Sequence, residues 1–273
     1  MIIAVDVGNS AIKLALVKAA TVYDVTRLDS QTATEVELMA ALHALVATAQ
    51  EEPRAMLAVS VVDRWSDRLA RAADTLGLAL TVVAASSIPI RTALVRPDQT
   101  GPDRLLAAWA AWQLHGAPLV IVDLGTATTV DALDGDGFFL GGAIMPGPGL
   151  AADSLAEGTS RLPRVELATP ADAIGTDTQS ALRSGLVVGH VGALRELETR
   201  MQPRLERSAR VVVTGGHAHA DWARTALLEP AGPDLPAVAQ VLDPDLVLKG
   251  LGLLAEHPAA QPVGGYRSPA GAP

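Results

Sequence analysis

The stretch IVDLGTATTVDAL, residues 121–133, runs an apolar strand into an acid, a glycine and a cluster of threonines. The same outline stands at the start of the chain, as AVDVGNSAIKLAL at residues 4–16. Aligning Asp123 with Asp6 also aligns Gly125 with Gly8 and Thr126 with Asn9. The first copy opens on a continuous apolar run, as expected of a strand buried on both faces. Glycine after the acid allows φ > 0 and lets a ligand approach the backbone. Several N–H groups pointing one way at such a turn make an anion concavity. The acid repels a bare phosphate, but it can hold a cation that bridges to phosphate, or that cation's waters. Alone, either copy reads as a hairpin turn. Two copies in register, each after the first strand of a three-strand set, point to a pair of hairpins that hold a nucleoside triphosphate.

The flanking segments repeat as well. Residues 2–7, 10–18 and 21–28 read as strands, followed by a helix over 34–50 with Leu38, Leu42, Leu45 and Val46 on one face. A strand (56–62), a helix (63–77) and a strand (78–85) lead to a helix from about 102 to Gly116. The pattern then restarts with PLVIVDLG, ATTVDAL and GFFLGGAI as strands and helices over 149–158 and 177–200. A strand over 209–216, a helix over HAHADWARTALL, a strand over 237–242 and a helix over 244–256 complete it. The expectation is two α/β lobes, 1–116 and 117–256, with ligand in the crevice outside the strand ends. The Pro/Gly/Ala-rich tail, 257–273, is expected to be disordered.

Composition narrows the function. In 273 residues, 49% are hydrophobic but only 3% aromatic, so a core must rest on Ala, Val, Leu and Ile. The net charge of −9, without a basic stripe, argues against a nucleic-acid reader. The absence of cysteine removes thiolate nucleophiles and Cys-based zinc sites and suits a reducing cytosol. MIIAVDVGNS is interrupted by Asp6 and reads as a strand, not a signal peptide. No run approaches ~18 uninterrupted apolar residues, so no membrane span is expected. No Walker A loop is present.

Two further segments carry chemistry. In TGGHAHADW (214–222) a strand ends in Gly215 and Gly216 before a helix, a geometry on which a ribose or a flat ring can lie. His217 and His219 do not share a helix face, and no third metal ligand accompanies them. In TGPDRLLAAWAAW, Asp103 follows Pro102 in the first turn of a helix. Pro and Asp are favoured there on structural grounds alone. The functional alternative is a carboxylate that accepts a hydroxyl proton, with Arg104 beside it for an anionic substrate. On the residues alone the two readings stand level.

Taken in order, these segments resemble the type III pantothenate kinases of the acetate and sugar kinase/Hsp70/actin superfamily, from about residue 1 to 255. The resemblance implies two ribonuclease H-like (actin-like ATPase) lobes, each a mixed sheet flanked by helices. DVGNSAIK, comprising Asp6, Val7, Gly8, Asn9, Ser10, Ala11, Ile12 and Lys13, resembles the first phosphate motif. DLGTATTVD (123–131) with FLGGAIMPG (139–147) resembles the second phosphate and cation motif. GPDR (101–104) resembles the substrate motif and TGG (214–216) the adenosine motif. The resemblance further implies phosphorylation of pantothenate by ATP, opening coenzyme A synthesis. Asp103 would accept the proton; Gly101, Pro102, Asp103 and Arg104 would grip pantothenate. Asp6 would lie near Mg²⁺ and the phosphates, Thr126 would touch ATP, and Asp123 would hold a monovalent cation, potassium or ammonium. Thr178 would reach pantothenate across the interface of a homodimer in the cytoplasm. The sequence departs from the family at Leu94, where a Tyr commonly lines the substrate pocket, and at Pro102, where a small or branched residue is usual. Leu94 keeps a related kinase acting on another hydroxyl compound in view. A non-catalytic nucleotide-binding regulator of the same fold is the further alternative.

Overall fold

Strands β1 (Ile2–Val7), β2 (Ala11–Lys18), β3 (Thr21–Asp29), β4 (Met56–Ser60) and β5 (Leu80–Val82) form one five-stranded sheet in the order β3-β2-β1-β4-β5. β6 (Leu119–Leu124), β7 (Ala127–Leu133), β8 (Phe139–Pro146), β9 (Arg210–Thr214) and β10 (Val241–Leu242) form a second, ordered β10-β9-β6-β7-β8. In both sheets the first three strands are antiparallel neighbours and the last two run parallel to the first. This is the expected ribonuclease H-like order, written twice. The helices are α1 (Glu35–Thr48), α2 (Ser66–Thr75), α3 (Pro102–His115), α4 (Pro148–Gly158), α5 (Thr178–Met201), α6 (Asp221–Leu228) and α7 (Leu246–Glu256). The molecule is seen here as a computed structural model describing residues 1–205, 207–230, 232 and 235–258. The tail assigned to 257–273 lies outside the described residues apart from His257 and Pro258.

The chain divides into two units: Met1–Pro89 with Arg96–Ala110 and the described residues from Val247 onward, and the described residues of Ile90–Val95 with Ala111–Leu246. In the first unit, alternate residues of β1 and β2 (Ile3, Val5, Val7; Ile12, Leu14, Leu16) pack on Leu38, Leu42 and Leu45 of α1 and on Trp65 and Leu69. Each such aliphatic side chain removed from water stabilises the fold by roughly 1.5–3 kcal/mol. Thr34 starts α1 through a capping box with Glu37. On the other sheet face, α7 returns to this unit, where a Cβ at Gly252 would overlap Val17 and the Ala19 carbonyl. In the second unit, Val120, Val122, Leu124, Val130, Val211 and Val213 pack on Val187, Val191 and Leu194 of α5 and on Trp222 of α6.

Several elements are shorter than the sequence pattern predicts, and three are instructive. The strand expected over 78–85 is only Leu80–Val82: the Leu78 N–H is taken by the Ala73 carbonyl at the end of α2, and beyond Val83 the chain enters a 3-10 turn in which Ser87 Oγ donates to the Ala84 carbonyl (2.7 Å). The strand expected over 237–242 is only Val241–Leu242. There the Gln240 side chain accepts from the Val211 N–H (2.6 Å), in place of a backbone partner. The helix expected over 217–228 breaks at Ala220, whose ψ of 142° is extended, leaving a 3-10 turn (Gly216–His219) before α6.

Candidate functional site

Both hairpins form, and they differ by one residue. In the first, the Gly8 N–H donates to Ala11 O (2.9 Å) and Val7 pairs with Ile12. In the second, the Gly125 N–H donates to Ala127 O (3.1 Å) and Leu124 pairs with Thr128. Asp6 therefore stands opposite Lys13, and Asp123 opposite Thr129. Two residues earlier on each leading strand, Ala4 faces Ala15 in the first sheet and Ile121 faces Asp131 in the second. Paired residues project from the same sheet face. On the face away from α1, the first hairpin thus carries Asp6 and Lys13. Its counterpart carries Asp123, Thr129 and Asp131.

In the first unit Lys13 Nζ lies 3.4 Å from Asp6 Oδ2, and both side chains are largely buried. The turn is held from β3: Ser30 Oγ and Gln31 Nε2 donate to Asn9 O (2.6 and 2.5 Å), and the Ser30 N–H donates to Ser10 O (3.1 Å). Ser30 is itself buried, and its carbonyl accepts from Arg64 and from Trp65 Nε1. Asp103 stands in the first turn of α3, with its Oδ1 accepting from the Arg104 N–H (2.9 Å). Burial, and then the negative charge of Asp6, push the Asp103 carboxyl above the usual carboxylate range. Asp6, Lys13, Gly101, Pro102, Asp103 and Arg104 thus share one unit.

In the second unit, Thr129 Oγ1 donates to Asp131 Oδ2 (3.3 Å). Asp131 is almost fully buried. Gly215, at φ 98°, sits so close to Asp123 Oδ1 and Leu124 N that a Cβ would overlap both. No such crowding surrounds Gly216. The TGG signature therefore combines two roles: Gly215 lets the chain close on Asp123, and Gly216 leaves space. The neighbouring hollow, about 540 Å³, is lined by Gly149, His217, Ala220 and Trp222 among others. Gly147 N–H donates to Thr126 O (3.0 Å), and a Cβ at 147 would overlap the Gly125 and Thr126 carbonyls. Leu94 also belongs to this unit and leans on Gly141 of β8, where a Cβ would come within 3.2 Å of Leu94 Cδ2. Thr178 is the first residue of α5, exposed, and capped by Asp177. It edges a hollow of about 450 Å³ with Leu155, Leu162, Leu182 and Leu186.

The expected substrate residues thus fall in both units, with Leu94 and Thr178 apart from Gly101–Arg104 in the chain's division. The sequence patterns do not single out Ser30, Asp131 or Gly147. For Asp131 a signal is present, since it ends the DLGTATTVD segment on the Asp123 side of an alternating strand. Among the described residues, no group of three or more His, Cys, Asp or Glu is arranged to hold a metal. No described helix is long and apolar enough to cross a membrane.

The family model described as type III pantothenate kinase matches residues 2–200. A type III pantothenate kinase of Rubrobacter xylanophilus is 36% identical over 93% of this chain and 97% of its own length. One from Dehalococcoides mccartyi (strain 195) is 38% identical over 64% of this chain; the chain spans 64% of that relative's length. Among solved structures, a conserved Campylobacter jejuni protein described as a Baf family transcriptional activator superposes with a TM-score of 0.59. That match covers 93% of this chain and 98% of the other at 17% identity, which shows the fold alone. The chain belongs to the type III pantothenate kinase family.

Proposed function

We propose that this chain transfers the γ-phosphoryl group of ATP to the 4′-hydroxyl of pantothenate, the first step of coenzyme A synthesis. The observation that carries the reading is Asp103, a carboxylate raised above its usual range by burial and by Asp6. In the proposed step Asp103 takes the hydroxyl proton, the alkoxide oxygen bonds to the γ-phosphorus, and the bond to the bridging oxygen breaks to release ADP. Arg104 pairs with the pantothenate carboxylate. The Gly8–Ala11 and Gly125–Ala127 turns offer amides to the phosphates. Thr126 contacts the nucleotide, and the open backbone at Gly216 receives its adenosine.

Two cations belong to the proposal. Magnesium is commonly held by one or two carboxylates plus substrate phosphates rather than by a protein cage. A single Asp6 with no acid cluster among the described residues fits that habit. The second hairpin fits a monovalent cation: its face carries Asp123, Thr129 and Asp131 where the first has Asp6, the ammonium of Lys13 and Ala15. Bound there, such a cation supplies positive charge near the phosphates. Asp123 would hold it, with the Thr129 hydroxyl alongside.

A homodimer in the cytoplasm completes the reading. Ile144, Leu150, Leu155, Ile174 and Val188 are exposed apolar residues of one unit, and Thr178 lies beside Leu155 and Leu182. A second copy over this face would bring Thr178 to its partner's substrate. A single-chain mass in sedimentation equilibrium would remove that part.

Leu94 favours a second reading, phosphorylation of a different alcohol, because it offers no phenol to a substrate. ADP release measured with pantothenate and with a panel of other hydroxy compounds decides between them. Turnover on pantothenate is expected; turnover only on another alcohol would sink the first reading.

A further inference from the structure

Beneath the second turn, on the α5 side of the sheet, lies a polar pair that the phosphoryl-transfer chemistry does not use. Thr128 follows the Gly125–Ala127 turn directly and is completely buried. Its Oγ1 is 3.1 Å from Nε2 of His190, a residue of α5 62 positions later. His190, itself half-buried, lies on α5 beside Val187, Val191 and Leu194, which are buried in the core of this unit. A histidine there could simply fill space. Against that, burial and the neighbouring His217 drive its pKa down to about 4, so the ring is neutral near pH 7 and keeps one donor and one acceptor nitrogen. Bonded to a neutral imidazole, the Thr128 hydroxyl is fixed in direction at the foot of the turn.

The first turn is fixed by a different device in the corresponding place. There Ser30, just after β3, bonds Asn9 O within the turn itself. Gly147 holds the second turn from one side through Thr126 O. At the foot of that turn the task falls to the Thr128–His190 bond. Amides that cradle phosphate must be held in place before the ligand arrives, because a loose turn loses affinity to ordering.

We infer that His190 is a positioning residue that fixes the Gly125–Ala127 turn for nucleotide phosphate through Thr128. The inference rests on the nucleotide role proposed for that turn, so it is read by binding rather than turnover. The full chain, its His190→Leu, His190→Gln and Thr128→Val variants and the double variant Thr128→Val/His190→Leu are titrated with a non-hydrolysable ATP analogue and magnesium. Thermal melting is followed in parallel. Loss of the bond should weaken analogue binding about fivefold in both His190→Leu and Thr128→Val, the size of one hydrogen bond. His190→Gln, whose amide reaches the Nε2 position, should bind within about twofold of the parent. The double variant should be no weaker than either single one, since both remove the same bond. Parent-like affinity in His190→Leu, additive losses in the double variant, or affinity that merely follows melting temperature across the set would overturn the inference. So would a parent chain that does not bind the analogue. Pantothenate turnover by the parent separately tests the kinase reading.

Discussion

The two hairpins share a fold and differ in charge. Asp6 faces Lys13 at 3.4 Å, so the first acid has a cation already tethered to the protein. Asp123 faces Thr129, and Asp131 adds a second acid on the same face. One turn residue separates the copies, and it sets which side chain stands opposite each acid. In the proposed reading that contrast gives the two copies different roles. The lobe with its own ammonium suits phosphate directly, whereas the lobe without one suits a dissolved cation. Asp103 belongs beside the first copy, where burial, and then Asp6, raise its pKa.

The largest effect expected is from Asp103→Asn, which removes the base and leaves the hairpins intact. Turnover should fall about a thousandfold while nucleotide affinity holds. The same change should raise the melting temperature at pH 7. A carboxyl with a raised folded-state pKa carries a disfavoured charge at neutral pH, and that penalty vanishes once the group is protonated in both states. The gap between variant and parent melting temperatures should therefore close as pH falls toward the ordinary carboxylate range. Unchanged turnover would rule out the proton-acceptor role.

Gly215→Ala tests how tightly the second lobe closes on its acid. Its φ of 98° and the contact with Asp123 predict a loss of about 1–3 kcal/mol in urea unfolding. Parent-like stability would mean that the backbone beside Asp123 is looser than described.

Thr129→Lys asks whether the charge difference is the functional one. It places a lysine opposite Asp123 as Lys13 stands opposite Asp6. Activity without potassium should rise about tenfold, equivalent to one pKa unit of interaction. If potassium dependence is untouched, the cation is not held at this face.

The smallest effect concerns acid. His190 is neutral in the fold with a pKa of about 4, against about 6.5 when unfolded. Its depressed pKa makes stability fall as pH falls through that window, because the unfolded chain takes up the proton first. His190→Gln should flatten the decline of melting temperature between those values. His217, also lowered by burial, should leave part of the slope in place.

Much of this is legible in the sequence. Buried strands such as Ile2–Val7 and Leu119–Leu124 announce themselves as apolar runs carrying an acid near the end, and Pro102–Asp103 marks the start of α3. Asp103 is visible there as a candidate, but its raised pKa depends on burial and on Asp6, far away in sequence. Lys13 is visible within the DVGNSAIK motif, but its ion pair with Asp6 comes from strand register, which a one-residue change in turn length alters. Ser30 and His190 stay hidden because their partners are distant and their own neighbours look like ordinary strand-end and helix positions. Beside β5 and β10 single hydrogen bonds, Leu78 N–H to Ala73 O and Val211 N–H to the Gln240 side chain, take up backbone groups, and composition does not show such competition.

The most direct test of the kinase reading is pantothenate-dependent ADP release by the unaltered chain, with ATP and magnesium, in potassium chloride and in tetramethylammonium chloride at equal ionic strength. The predicted result is turnover that requires pantothenate and is strong only in potassium. ADP release independent of pantothenate, or equal rates in the two salts, would contradict it.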